Sequence, residues 1–223
     1  MATEIILIRH GYTIRVNGDY VHAPLTALGR QQAEQTGKFL NDTQLPIGGF
    51  YTSPLRRANE TADIIGTALG EKAEVVEDVR ELEGLEVPAL AVAEALSVLD
   101  VVEDYLDAQT GKPIRWPIEG RVSRALTDMA DKHPDQRVVV VAHSGVISSV
   151  LAWMFTDQRL HWWLTTVGNC SLTRIRLGVE PVELLGVNEI AHLAQVGTTI
   201  QAPDRSVQAA KKVLRTVKPT APH

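Results

Sequence analysis

Two histidines stand where a pair of imidazoles could handle a phosphoryl group. His10 follows the apolar run Ile5-Ile6-Leu7-Ile8 and Arg9, and precedes Gly11; His143 follows Val138-Val139-Val140-Val141-Ala142 and precedes Ser144-Gly145. Apolar runs of this length read as strands buried on both faces, as in parallel sheets. Parallel neighbours deliver their carboxyl ends to one edge, where open α/β sheets bind ligands. Arg and His are costly to bury inside a strand, but at that edge they become functional candidates. A neutral imidazole can attack phosphorus in line and carry the group covalently. Guanidiniums fork onto its oxygens, and Arg9 adjoins His10. Arg56 and Arg57 open a helix, where the dipole disfavours cations and an anionic partner is wanted. A carboxylic acid must protonate the departing oxygen and then activate water. Glu81 and Glu83 are the candidates, in the stretch Arg80-Glu81-Leu82-Glu83-Gly84. His143 sits just ahead of a helix start, whose free N–H groups favour an anion.

The elements that must position these residues are readable in outline. Thr26 is a candidate N-cap, with Ala33, Gly37 and Leu40 at helical spacing behind it. Pro46 to Gly49 reads as a break, and Phe50-Tyr51-Thr52 as a short strand. Ser53-Pro54 reads as a helix start, a Ser cap with Pro at the first helical position. Leu55, Ala58, Ala62, Ile65 and Leu69 form that helix's buried stripe, and Gly70 ends it. Ala73 to Val76 is a candidate third strand. Val122, Ala125, Leu126, Met129 and Ala130 face inward from a further helix that Pro134-Asp135 stops. Val146 to Phe155 reads as a buried helix, and Leu172–Ile175 and Pro181–Leu185 as edge strands. Strands alternating with helices predict an α/β fold: a three-layer, doubly wound, mostly parallel sheet with helices on both faces. One domain is expected over 1–202, with a lid-like excursion over 89–120. The tail, 203–223, reads as a surface helix or disordered chain.

Bulk properties narrow the function classes. The chain has 223 residues, 44% apolar and 22% charged, with net charge −5 and no long run of one sign. That argues against nucleic-acid and membrane partners, which call for a basic stripe. A small anionic substrate remains compatible, because a pocket can be locally positive. The single cysteine, Cys170, is read as a core residue in a reducing compartment. Glu4 and Arg9 interrupt the early apolar run, so no secretory signal is read and the cytoplasm is the expectation. Homodimerisation is left open, since no pattern supports it. Trp153, Trp162 and Trp163 read as apolar mass rather than a base-stacking platform.

With these residues in hand, the chain resembles the histidine phosphatase superfamily, also called the phosphoglycerate mutase-like family. Arg9-His10-Gly11-Tyr12-Thr13 is similar to its Arg-His-Gly signature. The stretch from Pro24-Leu25-Thr26 through Gly29 to Gln32-Ala33 resembles its Pro-Leu-Thr…Gly…Gln-Ala segment. Ser53-Pro54-Leu55-Arg56-Arg57-Ala58 with Thr61-Ala62 resembles its Ser-x-Leu-x-Arg-Ala…Thr-Ala helix. Val79-Arg80-Glu81 resembles the segment of its proton donor. Val139–Gly145 resembles the strand ending in its second histidine, and Gly168-Asn169-Cys170-Ser171 and Ala191-His192-Leu193 its closing strands. The likeness spans about residues 4–193.

The resemblance implies that His10 becomes phosphorylated, that Arg9, Arg57 and His143 hold the phosphoryl oxygens together with Asn17, and that Glu81 serves as acid and then base. Ser144 is counted among the substrate contacts. No metal and no cofactor is expected, the fixed cations doing the electrostatic work. Tyr12 stands where Glu is common, His22 where Asp is frequent, and Glu119-Gly120-Arg121 where Gly-Glu-Ser commonly precedes the later helix. The expected activity is hydrolysis of a small phosphorylated metabolite. The alternatives are a cofactor-dependent phosphoglycerate mutase and a phosphate-binding relative without turnover. The mutase ranks lower because the 89–120 stretch offers only Lys112 and Arg115 as cations to hold a second anion.

Overall fold

The computed structural model describes residues 2–14, 22–43, 46–81, 117–154 and 167–199. Six strands form one sheet: β1 Thr3–Arg9, β2 Ile47–Thr52, β3 Glu74–Val75, β4 Arg137–Ala142, β5 Leu172–Leu177 and β6 Glu183–Glu189. Their spatial order is β3-β2-β4-β1-β5-β6. In that order β3, β2, β4 and β1 are parallel, β5 runs antiparallel to β1, and β6 antiparallel to β5. The two apolar runs are the central pair. Ile5, Ile6, Leu7, Ile8 and Val138 to Val141 are fully buried, each side chain contributing about 2 kcal/mol.

Among the described residues the α-helices are α1 Ala27–Asp42, α2 Arg56–Leu69, α3 Pro117–Lys132 and α4 Ser144–Met154. Alternation along the strands sorts them by face. Ile6, Ile8, Phe50, Val139 and Val141 pack with Leu40 of α1 and with Ala58, Ala62 and Ile65 of α2. On the opposite face, the Thr3 hydroxyl donates to the carbonyls of Ala130 and His133, and the Tyr51 hydroxyl meets His133 Nε2 at 2.7 Å. The end of α3 therefore lies on that side, with its expected inward residues buried. No described helix is long and apolar enough to cross a membrane.

Three local readings are corrected. Pro46 to Gly49 is not a break: β2 begins at Ile47, and the register shifts between Ile47 and Gly49. A Cβ on Gly48 or Gly49 would run into Gln136 or His133, so the glycines admit the turn before β4. Second, β5 is no edge strand, since it lies between β1 and β6; of that pair only β6 is outermost. Third, Ser53 does not cap α2. That helix starts at Arg56 with Leu55 in the cap position and no side-chain cap bond; the Ser53 hydroxyl instead meets His143 and accepts from Leu55 N, just ahead of the helix. Thr26 does cap α1, its Oγ1 accepting from Gly29 N at 3.0 Å. Gly70 ends α2 with φ of 70°, the left-handed conformation glycine adopts freely. The 89–116 part of the excursion and the tail lie outside the described residues, as do Trp162, Trp163 and the Trp153 side chain.

Candidate active site

β1 and β4 run in register from Glu4 opposite Arg137 to Arg9 opposite Ala142. The ladder continues one step further, with His10 N donating to the Ala142 carbonyl at 2.9 Å. Both histidines thus leave the sheet at the same edge, their ring centroids 5.2 Å apart at 57°. β2 adds a third strand end, where Ser53 N donates to the Val141 carbonyl at 3.0 Å. Ser53 Oγ then lies 2.8 Å from His143 Nε2.

The tautomer of His10 follows from its contacts. Nδ1 lies 2.8 Å from the Gly11 carbonyl, which only accepts, so Nδ1 carries the proton. Nε2 keeps its lone pair, to which Arg57 Nε donates at 3.2 Å. Arg57 is the second residue of α2 and is wholly buried, while neighbouring Arg56 points out to an ion pair with Glu60. Of the two arginines, Arg57 is the one at the site. Arg9 is 5% exposed, and its Nη1 donates to the Val167 carbonyl.

Burial drives both histidines well below their ordinary value of 6.5, and nearby guanidiniums add to this: Arg9 and Arg57 for His10, with the Gly11 carbonyl opposing. For His143 the further contributors are His10, Arg57, Arg9 and Arg121. Both imidazoles are therefore neutral, and their surroundings are positive on a chain of net charge −5. His143 Nδ1 is buried with no hydrogen-bond partner among the described residues.

Glu81 follows the short 3₁₀ turn Glu77–Val79. Its Oε2 accepts from Gly145 N at 3.1 Å, at the start of α4 directly after His143. The carboxylate fits because Gly145 lacks a side chain: a Cβ there would stand 2.2 Å from Oε1. Ser144, half-buried, is the first residue of α4. Asn17 and Glu83 lie outside the described residues. Among the described residues, no group of three or more His, Cys, Asp or Glu could hold a metal ion.

Several residues matter that carry no role in the sequence reading. Asn169 Nδ2 donates to the His10 carbonyl at 2.8 Å and is itself held by Thr199. The Thr61 hydroxyl accepts from Gly11 N at 3.0 Å, and Gln32 Oε1 accepts from Tyr12 N at 2.9 Å. Gly29 packs against Tyr12 so closely that a Cβ would lie 2.2 Å from its carbonyl oxygen. The Pro24–Ala33 and Thr61-Ala62 segments are thus clamps on the turn after His10. Arg121 is the further cation of the site; its guanidinium reaches the Arg80 carbonyl. His192 is tied to Thr36 and the Cys170 carbonyl. Burial pushes the Cys170 thiol up to about 12, so it stays a thiol in the core.

Comparison with known proteins agrees with this architecture. The sequence profile described as Histidine phosphatase superfamily (branch 1) matches residues 5–190. Phosphoglycerate mutase-like protein 4 of Arabidopsis thaliana is 34% identical over 163 residues, 66% of this chain and 69% of that protein. A metal-independent phosphoserine phosphatase of the same plant is 28% identical over 208 residues, 87% of this chain and 85% of that one. The solved structure of a phosphoserine phosphatase mutant from Entamoeba histolytica, in complex with phosphoserine, superposes with a TM-score of 0.66. It covers 86% of this chain and 99% of that one at 23% identity, a likeness of fold. A sheet of this topology, a profile spanning most of the sequence and relatives named as phosphatases together establish that the chain is an enzyme of the histidine phosphatase superfamily.

Proposed function

We propose that this enzyme hydrolyses a small phosphomonoester through a phosphohistidine formed on His10. The observation that carries this reading is the state of that imidazole. Its Nδ1 proton is locked on Gly11, and its Nε2 lone pair faces the Arg57 guanidinium.

In the first step the Nε2 lone pair attacks phosphorus and the phosphorus–ester oxygen bond breaks. Arg57 exchanges its bond to Nε2 for phosphoryl oxygens, joined by Arg9 and by a proton on His143 Nδ1. That proton has its place because Nε2 of His143 can accept from Ser53 and Nδ1 is otherwise unspent. Glu81 gives its proton to the leaving oxygen. In the second step water attacks the phosphohistidine, its proton passes to Glu81, and the phosphorus–nitrogen bond breaks to free inorganic phosphate. The buried positive surroundings are present before reaction, so they need no reorganisation as charge shifts onto the oxygens. Asn17 and Ser144 are proposed as further phosphate contacts.

The substrate is expected to be a small metabolite rather than nucleic acid or lipid. Similarity to a phosphoserine phosphatase over most of both chains supports a compact phosphorylated alcohol. The discriminating assay offers p-nitrophenyl phosphate, phosphoserine and 3-phosphoglycerate to the purified protein. Release of inorganic phosphate supports hydrolysis. Interconversion of phosphoglycerates without release supports a mutase instead. Phosphate binding with neither turnover would mean a relative that senses rather than cleaves.

A further inference from the structure

We propose that Arg121 is a positioning residue for Glu81, holding the proton-transfer carboxylate against the start of α4. The inference rests on the roles given above to His10 and Glu81.

Arg121 lies on α3, one position before the fully buried Val122. Its Nη2 donates to the main-chain carbonyl of Arg80, the peptide immediately preceding Glu81. The Arg80 side chain pairs with Glu77 at 2.9 Å, so it is the main chain of this residue that Arg121 engages. Glu81 is thus fixed at two points. Arg121 ties its main chain, and Gly145 N holds its carboxylate at 3.1 Å. This matters because the 3₁₀ turn before it, Glu77–Val79, is a single short turn. Without the guanidinium, the Arg80–Glu81 peptide could rotate and carry the carboxylate off the helix start.

Two further observations set Arg121 apart from a simple fold clip. Its Nε is buried with no hydrogen-bond partner among the described residues. A buried unpaired N–H is costly, so a donor left unspent on a half-buried arginine beside the candidate site calls for a reason. Its charge also reaches His143, where it helps hold the imidazole neutral. The cation is therefore close enough to the second histidine to act on its charge, and it is bonded to the peptide that leads into Glu81.

The test compares leaving groups. p-Nitrophenolate departs without a proton, whereas the serine alkoxide of phosphoserine needs one. Leaving-group release is followed in a single turnover with enzyme in excess, which isolates the first step. Glu81→Gln is expected to slow serine release by roughly 10²–10³-fold while slowing p-nitrophenol release far less. Arg121→Met is expected to show the same selectivity in milder form, roughly 10-fold or more on serine release, since displaced proton donors lose part of that factor. Arg121→Lys restores part of it, and the Glu81→Gln/Arg121→Met double variant is no slower than Glu81→Gln alone. Thermal unfolding of each variant checks that the fold persists. If Glu81→Gln is selective but Arg121→Met slows both substrates equally, or multiplies the Glu81→Gln defect, the positioning role is overturned and Glu81 stands. If Glu81→Gln shows no selectivity, the assignment of Glu81 fails, and the role of Arg121 with it.

Discussion

At the scale of single residues, the site is a set of commitments that leave particular atoms available. The Gly11 carbonyl accepts from Nδ1–H of His10, so the lone pair lies on the opposite nitrogen, the proposed nucleophile. Ser53 takes Nε2 of His143, so Nδ1 is the edge left for an oxygen. Arg57 should tolerate lysine poorly, because the contact to His10 runs through Nε, which an ammonium lacks. Arg57→Lys is expected to lower kcat on p-nitrophenyl phosphate by roughly 10²–10³-fold, the usual cost of one lost electrostatic donor. Steady-state kinetics beside a melting curve measure this, and near-normal kcat would remove Arg57 from the phosphoryl pocket. This scale is also where the amino-acid sequence speaks most directly. His10 and His143 are legible because an apolar strand seldom ends in a buried imidazole. Ser53 is misleading for a physical reason: Ser-Pro before an amphipathic stripe is a cap pattern, but the hydroxyl, which meets His143 and accepts from Leu55 N, lies one turn too early to reach the free N–H groups of α2.

At the scale of elements, glycine separates scaffold from site. Gly29 faces the main chain of Tyr12, and an added Cβ would stand 2.2 Å from a carbonyl oxygen that cannot yield without moving the His10 turn. Gly145 faces the tip of the Glu81 side chain, which can swing away. The two alanine substitutions should therefore diverge. Gly29→Ala is expected to destabilise by about 2 kcal/mol or more through overpacking against backbone. Gly145→Ala is expected to leave the melting temperature nearly unchanged while reducing serine release from phosphoserine at least roughly 10-fold by displacing Glu81, the proposed proton donor. Equal thermal losses, or a fully active Gly145→Ala, would contradict this division. Long-range clamps such as Asn169 on the His10 carbonyl or Thr61 on Gly11 N are not readable from periodicity. They depend on where elements meet in space, 159 and 50 residues apart in sequence. The antiparallel pairing of β5 with β1 escapes for the same reason, since alternation along a strand does not reveal its direction.

At the scale of the molecule, an acidic chain keeps a positive, buried cluster at one sheet edge, and folding carries the consequence. In the unfolded chain both histidines titrate near 6.5, whereas in the folded protein both lie well below it. Above pH 6.5 neither state binds those protons, and stability is indifferent to them. Below pH 6.5 the unfolded chain gains protons that the folded one declines, so stability falls, each histidine taking up to about 1.4 kcal/mol per pH unit until its folded pKa is reached. An anion in the site favours the charged imidazoles and opposes this loss. Melting temperature between pH 7.5 and 5.5 should therefore drop, inorganic phosphate should flatten the drop, and His143→Asn should flatten it without phosphate. A profile insensitive to both would mean that the cluster does not titrate as described.

The most direct test of the whole account is the covalent state of His10. The wild-type protein, mixed briefly with substrate and quenched under alkaline conditions that preserve phosphohistidine, should gain one phosphoryl mass that acid removes. His10→Ala, still folded, should gain none. An adduct of equal yield on the His10→Ala variant, or none on a wild-type protein that is turning over substrate, would contradict the mechanism at its first step.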